Sequence, residues 1–298
     1  MLIGSDGSAT FCGRTFGPRE ISEIKDIVES FPGLSRTELA GTVCELLDWH
    51  RANGTYKQRE CREFLELLEA SGLFRLPARR PGRPRGSRTK VPETGHGELQ
   101  PPITGVVRDV SPVSLALVGS QEERLLWREL VGRYHYLGHT VPFGAHIRYL
   151  VRIAQPEAVV GCLQFSSPAW RIRPRDQWID WDDGTRRRNL QKVVSNSRFL
   201  ILPWVRIRNL ASTVLALAAR HVASDWEQRY RIRPVLLETL VDPERYLGTS
   251  YKAANWLNVG MTTGRGRMDK AHRLHGKAPK AIFLYPLRKD ARRQLRSV

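Results

Sequence analysis

Residues 196–222 read NSRFLILPWVRIRNLASTVLALAARHV, and the fold is decided here. Phe199–Leu202 is a short, wholly apolar run that Pro203 stops, as expected of a buried strand. Leu210 to Val222 is rich in Ala and Leu and predicts a helix. Between them lies a basic link, Pro203 to Asn209, carrying Arg206 and Arg208. A strand, a basic turn and a helix N-terminus make an anion site, because unpaired N–H groups and the helix dipole both favour phosphate. The turn has no glycine, so it is not a P-loop.

Working outward, the same alternation continues. Gln121 to Tyr136 predicts a helix, and Ile147–Ile153 with Ala158–Phe165 predict two adjacent strands joined at Gln155-Pro156. Downstream, Val235–Val241 reads as a buried strand, Thr249–Trp256 as a helix and Ala281–Tyr285 as a last strand. Such alternation predicts an α/β (α+β) mixed-sheet core of about 170 residues.

Residues 1–77 read as a separate helical unit. Ile21, Ile24 and Val28 share a face, and Ser35 and Glu38 have capping-box spacing before Leu39, Val43, Leu46 and Leu47. A second box-like signal at Thr55 and Gln58 precedes Cys61, Phe64, Leu65 and Leu68. Leu73–Leu76 could follow as a strand. Three helices and a strand predict a winged-helix-like or helix-turn-helix module, with a protein-docking helical domain as the alternative. Residues 78–112 read as a linker holding Arg79, Arg80, Arg83, Arg85 and Arg88 around Gly82-Arg83-Pro84. This resembles an AT-hook, whose prolines keep the chain extended so that Arg83 enters a narrow minor groove. Residues 113–298 then form the α/β domain and its basic tail.

The chain has 298 residues, 48 Lys+Arg and 30 Asp+Glu, for a net charge of +18. The excess is local: residues 1–75 hold 9 basic and 12 acidic side chains (−3), residues 76–90 hold 6 and none (+6), and residues 264–298 hold 11 and 2 (+9). Concentrated positive charge makes a polyanion the leading partner, through counterion release from phosphates, with a merely soluble basic surface as the alternative; with the AT-hook-like stretch, DNA is the partner expected. No apolar run is long enough for a membrane span and no signal peptide is visible, so a cytoplasmic protein with no membrane partner is expected. The four cysteines, Cys12, Cys44, Cys61 and Cys162, are far apart and suggest neither a disulfide framework nor a zinc site.

Chemistry-bearing residues fall in a few segments. Glu238 sits inside the apolar run Leu236–Val241, and a carboxylate there is costly unless a cation or a metal meets it. On a strand, Asp242 shares its face. Glu238 and Asp242 are therefore candidate catalytic and metal-binding acids, with Mg²⁺ as the cation; a structural ion pair to an arginine is the alternative. Asp176, Asp180, Asp182 and Asp183 form a second acidic cluster, read as a loop that holds Mg²⁺ or is neutralised by Arg186–Arg188. Tyr134 to His139 reads as a base-stacking platform, a proton-transfer pair or core aromatics. Gly260 to Arg267, with Arg265 and Arg267, suits a phosphate backbone.

Tyr134–Gly138, Phe165–Trp170, Asn196–Trp204, Leu237–Thr239 and Gly248 through Trp256 to Arg267 together resemble the A-subunit family of the Druantia anti-phage system, whose relatives occur around mobile elements. Where that family carries Trp-Ile-Gly-Trp, this chain has Trp178-Ile179-Asp180-Trp181. The resemblance implies action on phage or transposon DNA. The order of elements from Leu125 to Gly260 is also similar to the GNAT acyltransferase fold. That similarity implies that Arg206 to Ala211 stands at the acyl-CoA pyrophosphate turn, without its glycines. It also puts Tyr251, a candidate catalytic residue, and Asn255 where that fold supplies a general acid or a CoA contact. Three readings follow: a DNA-acting enzyme of strand cleavage or transfer, a GNAT-type acyltransferase, or a non-catalytic DNA-recognition subunit that recruits a helicase or nuclease.

Overall fold

The computed structural model describes residues 2–4, 6–30, 34–51, 55–79, 93–140, 142, 144–262 and 279–297. Arg80, Arg83, Arg85, Arg88, Arg265 and Arg267, and with them the core of the AT-hook-like stretch, lie outside the described residues.

The N-terminal unit begins with strands that the sequence reading passed over. These are β1 (Leu2–Ile3), β2 (Ala9–Phe11) and β3 (Arg14–Phe16), which form a small antiparallel sheet. Helices α1 (Pro18–Ser30), α2 (Arg36–Leu46) and α3 (Gln58–Ala70) follow. The capping box of α2 forms as its spacing predicts: Glu38 N donates to Ser35 Oγ at 3.3 Å and Ser35 N to Glu38 Oε2 at 2.8 Å. The second box does not form; α3 starts after Lys57 with no side-chain cap. Leu73–Leu76 is not a strand, so the strands precede the three helices rather than follow them. The described residues therefore lack the expected winged-helix order. What closes this unit is an aromatic knot, with Phe16 stacked on Phe64 at 4.4 Å and Trp49 edge-on to Phe16 at 4.9 Å.

The larger sheet is built from β5 (Val113–Leu117), β6 (His146–Ala154), β7 (Glu157–Ser166), β8 (Val193–Ile201), β10 (Leu236–Val241), β11 (Leu257–Met261) and β12 (Ala281–Pro286). Its order is β11-β12-β10-β8-β7-β6-β5. Every neighbouring pair is antiparallel except β8 and β10, which are parallel. A parallel pair needs a crossover, and the 21-residue α7 (Leu210–Tyr230) supplies it. The link before α7 is no free turn: β9 (Val205–Arg208) pairs in parallel with β4 (Ile103–Val106). Residues 103–106, within the expected linker, thus belong to the sheet-bearing body.

Helix α4 (Gln121–Tyr134) follows β5, and α5 (Arg173–Ile179) and α6 (Asp183–Asn189) replace the expected acidic loop. Helix α8 (Thr249–Ala253) is shorter than predicted, because Asn255 turns at φ +62° and the chain enters β11. A final helix, α9 (Ala291–Arg296), ends the chain. Alternation along the strands divides the core in two. Leu237, Val241 and Phe283 join the cluster that includes α7 residues Val214, Ala218 and Trp226, and this cluster continues into the N-terminal unit. Leu236, Ile282 and Leu284 face Ile179 and Leu295 on the other side. Among the described residues no helix is long and apolar enough to cross a membrane.

Candidate functional site

Strands β8 and β10 pair only from Val193↔Leu236 to Ser195↔Glu238. Beyond that point both strands run on without pairing each other, so a wedge opens between them. A bulge at Ser197, where Gln164 faces Arg198 but Phe165 faces Asn196, turns β8 away and widens the gap.

Buried polar side chains fill the base of the wedge. Tyr251 Oη donates to Asn196 Oδ1 at 2.7 Å, and Thr239 Oγ1 donates to the Asn196 carbonyl at 3.0 Å. Asn196 Nδ2 in turn donates to the carbonyls of Gln164 (3.2 Å) and Arg198 (3.1 Å). Gln164 Nε2 reaches Ser197 Oγ at 3.0 Å and Gln164 Oε1 accepts from Arg148 Nε at 2.9 Å. Such a satisfied network rigidifies what lies above it. Tyr251 is buried and stacked on Phe283 at 5.7 Å, and burial pushes its phenol well above its ordinary pKa. It holds Asn196 in place rather than facing solvent.

Above the network the wedge opens onto an aromatic and cationic patch. Arg198 donates to the Gly138 carbonyl (3.1 Å) and to Thr140 Oγ1 (2.9 Å), which ties the Tyr134–His139 stretch to β8. Tyr136 meets Tyr246 at 5.6 Å, stacks on His135 at 4.9 Å and carries the Arg245 guanidinium over its ring at 5.2 Å. Asp242 closes the turn below, accepting from Glu244 N at 3.1 Å with Arg245 Nε 3.5 Å away. Burial, then the neighbouring Asp242, raises the pKa of Tyr136. Tyr246 is 53% exposed and Leu247 77%. Planar rings and guanidinium groups at an open rim suit stacking against a flat ligand and pairing with an anion. A hydroxyl or thiol nucleophile hydrogen-bonded to a base is not among these contacts.

Burial and then Arg198 lower the pKa of His135 to about 4; burial and then arginines, Arg148 first, do the same for His139 and His146. The folded chain refuses protons that the unfolded chain accepts below the ordinary value of 6.5, so this contribution is complete above 6.5 and is lost as pH falls. The melting temperature is expected to hold steady above pH 7 and drop between pH 6.5 and 4. A flat profile across that window in scanning calorimetry would refute the assignment.

The carboxylates expected to work together do not. Glu238 and Arg175 are both fully enclosed, with Arg175 Nη1 3.1 Å from Glu238 Oε2. Arg175 also donates to Asp176 Oδ1 (2.9 Å) and to the carbonyls of Ala169 (2.8 Å) and Trp170 (3.1 Å). Burial raises the Glu238 pKa against the pull of Arg175, while Glu238 and Asp176 keep Arg175 charged. Asp242 serves the 242–246 turn and shares no partner with Glu238. Each acid of the second cluster is also occupied. Asp176 meets Arg175 and Trp181 Nε1, Asp180 meets Arg296 at 3.2 Å, Asp182 caps α6 through Thr185 N at 2.7 Å, and Asp183 meets Arg171 and Arg186. Among the described residues no three His, Cys, Asp or Glu side chains are grouped to hold a metal. Arg206 and Arg208 are exposed on β9, and the exposed Arg79 lies 3.1 Å from Glu66.

The segments meeting at this wedge are the ones that marked the sequence. The family model described as "Druantia protein DruA" matches residues 73–278. The chain belongs to this family. Asp180 has φ +66° at the end of α5, a left-handed conformation that Asp adopts more readily than most residues. No curated protein matches the chain. Solved structures similar to this DruA-family chain are acetyltransferases. An aminoglycoside acetyltransferase AAC(6′)-Ib in complex with coenzyme A is 12% identical, covering 62% of this chain and 100% of its own, with a TM-score of 0.39. The spermidine/spermine N-acetyltransferase SpeG from Vibrio cholerae is 11% identical over 61% and 97%, TM-score 0.37. A GNAT-family acetyltransferase from Bacillus anthracis is 9% identical over 53% and 81%, TM-score 0.34.

Arg175, Arg198, Arg245 and Tyr246 were not singled out by sequence reasoning. Each lies in a segment that was quoted or adjoined one, but only the wedge brings 136, 198 and 246 together.

Proposed function

We propose that this DruA-family chain serves anti-phage defence by engaging DNA, as a recognition subunit that leaves strand chemistry to a helicase or nuclease partner. The observation that carries this reading is the open patch of Tyr136, Tyr246, Arg245 and Arg198 on a rigid polar base. An unstacked base can stack on the outer side of this ring cluster, where Tyr246 is exposed, and the adjacent guanidinium groups suit its phosphates. The net charge of +18 supplies the long-range attraction. Recognition is favoured over Mg²⁺-dependent cleavage because Glu238, the best candidate acid, is engaged by Arg175. Acyl transfer at Arg206–Ala211 is disfavoured, since β4 pairs along the segment that a pyrophosphate would approach.

The test is fluorescence anisotropy with labelled single-stranded and duplex DNA. Wild-type protein is expected to bind with a steep salt dependence, and the Tyr136→Ala/Tyr246→Ala variant to bind roughly 5- to 150-fold more weakly per stacked base lost, corresponding to about 1–3 kcal/mol. Tyr136→Phe, which keeps the ring, is expected to bind like wild type. Equal affinity of the alanine variant, or no DNA binding by wild type at low salt, would overturn the proposal.

A further inference from the structure

The sequence reading placed the anion site at the Pro203–Asn209 turn, and the patch accounts for Tyr136 and its neighbours. Neither uses the opening beside α7. A groove of about 1120 Å³ runs beside α7 and is bounded by the end of α8 and the end of β12. Short α8 forms one of its borders. That helix has only five residues, and Asn255 turns the chain directly into β11, while a stretch of α7 lined by Ala216, Ala219 and Ala223 borders the opening. The alanines keep the floor shallow and allow close approach. The rim is cationic: Arg220 stands on α7, Arg233 precedes β10, and Arg288 and Lys289 follow β12, against the single acid Asp290. Asp290 is already matched by Arg293 at 3.0 Å and Arg288 at 3.7 Å. Among the described residues Arg220 and Lys289 are exposed and in no ion pair. Cations spread over three separate elements around one channel match a chain of regularly repeated negative charge better than a single compact anion.

The groove and the patch flank the same short helix. Tyr246 and Leu247 lie just before α8, whereas Ala253 at its end and Ala254 and Asn255 just after it line the groove. Five helical residues rise only about 7.5 Å. The patch and the groove thus lie at the two ends of α8.

We infer that the α7–α8–β12 groove carries the phosphodiester backbone of a single DNA strand whose unstacked base is held at Tyr136 and Tyr246. This rests on the DNA-engaging reading above and adds a second, separable contact. The groove holds phosphates through charge, while the patch holds a base through stacking, so the two contacts leave different signatures in salt titrations.

The experiment measures binding of a labelled oligothymidine from about 50 to 200 mM salt by wild type, Arg220→Glu/Lys289→Glu, Arg220→Gln/Lys289→Gln and Tyr136→Ala. Two lost phosphate contacts are expected to make the slope of log K against log salt shallower by about 1.4, at roughly 0.7 per phosphate of a single strand. The glutamine pair is expected to show the same change in slope with a smaller loss of affinity. Tyr136→Ala is expected to weaken binding with the slope unchanged. Because both groove positions are exposed, melting temperatures should match wild type, and the glutamine pair keeps the test valid if charge reversal disturbs folding. A wild-type slope in both groove variants overturns the groove while leaving the patch standing. Absence of oligothymidine binding by wild type overturns both. Polyglutamate or coenzyme A competing as well as oligothymidine at equal phosphate or carboxylate concentration would show a non-specific or small-ligand groove and also overturn the inference.

Discussion

Replacing Glu238 by alanine is expected to lower the unfolding free energy by about 3–5 kcal/mol, the usual loss when one partner of a buried ion pair is removed. Arg175 would keep its contacts to Asp176, Ala169 and Trp170 but would lose the carboxylate that compensates its charge inside a fully enclosed space. Desolvation outweighs Coulomb attraction in such places, so the cost falls on the guanidinium left behind. Two companions sharpen the test. Glu238→Gln keeps the shape and an amide oxygen facing Arg175, so it should cost less. Glu238→Leu with Arg175→Met removes both charges and should recover most of the loss, because apolar replacements of whole buried pairs are often neutral. Urea unfolding reads the result as a shift in midpoint at constant slope. A Glu238→Ala protein as stable as wild type would exclude the structural role and return Glu238 to the list of functional acids.

The second large effect concerns Gly248, where β10 hands over to α8. Its φ of +68° is left-handed, and a Cβ built there would lie 2.5 Å from Phe283 Cζ and 2.8 Å from Cε2. Gly248→Ala is expected to cost about 1–2 kcal/mol for the backbone conformation. A further roughly 1–3 kcal/mol follows from displacing a packed ring. Phe283 stacks on Tyr251, so the strain passes to the phenol that holds Asn196, and the wedge should loosen with it. Gly138 is the control. It also has positive φ (+58°) but meets nothing within 4 Å, so Gly138→Ala should show the backbone cost alone. Equal destabilisation by the two variants would refute the role assigned to Phe283.

How far the sequence alone carried depended on the range of the interaction. The hairpin read at Ile147–Ile153 and Ala158–Phe165 lies within β6 and β7, because alternation and a turn are local properties. The capping box at Ser35 was readable for the same reason. Strand β9 was not, since a four-residue basic segment becomes a strand only when β4, about a hundred residues upstream, pairs with it. The acidic cluster at 176–183 reads as a loop because its two helices are too short for a period to show; they are held by packing, by neighbouring arginines and by Arg296.

For the candidate site the division is sharper. An apolar run around Glu238 established from sequence that this carboxylate must have a charged partner. That Arg175, 63 residues away, meets it was decided by the position of α5 against the sheet. Likewise Tyr136, Arg198 and Tyr246 were visible as residue types, but their convergence needed the bulge at Ser197 and the parting of β8 from β10. Composition, charge and periodicity are sums over neighbours along the chain, so they determined a basic protein with a mixed α/β core. Which side chains face one another across the wedge depends on strand order and register, and those are settled only when distant segments compete to bury the same apolar faces.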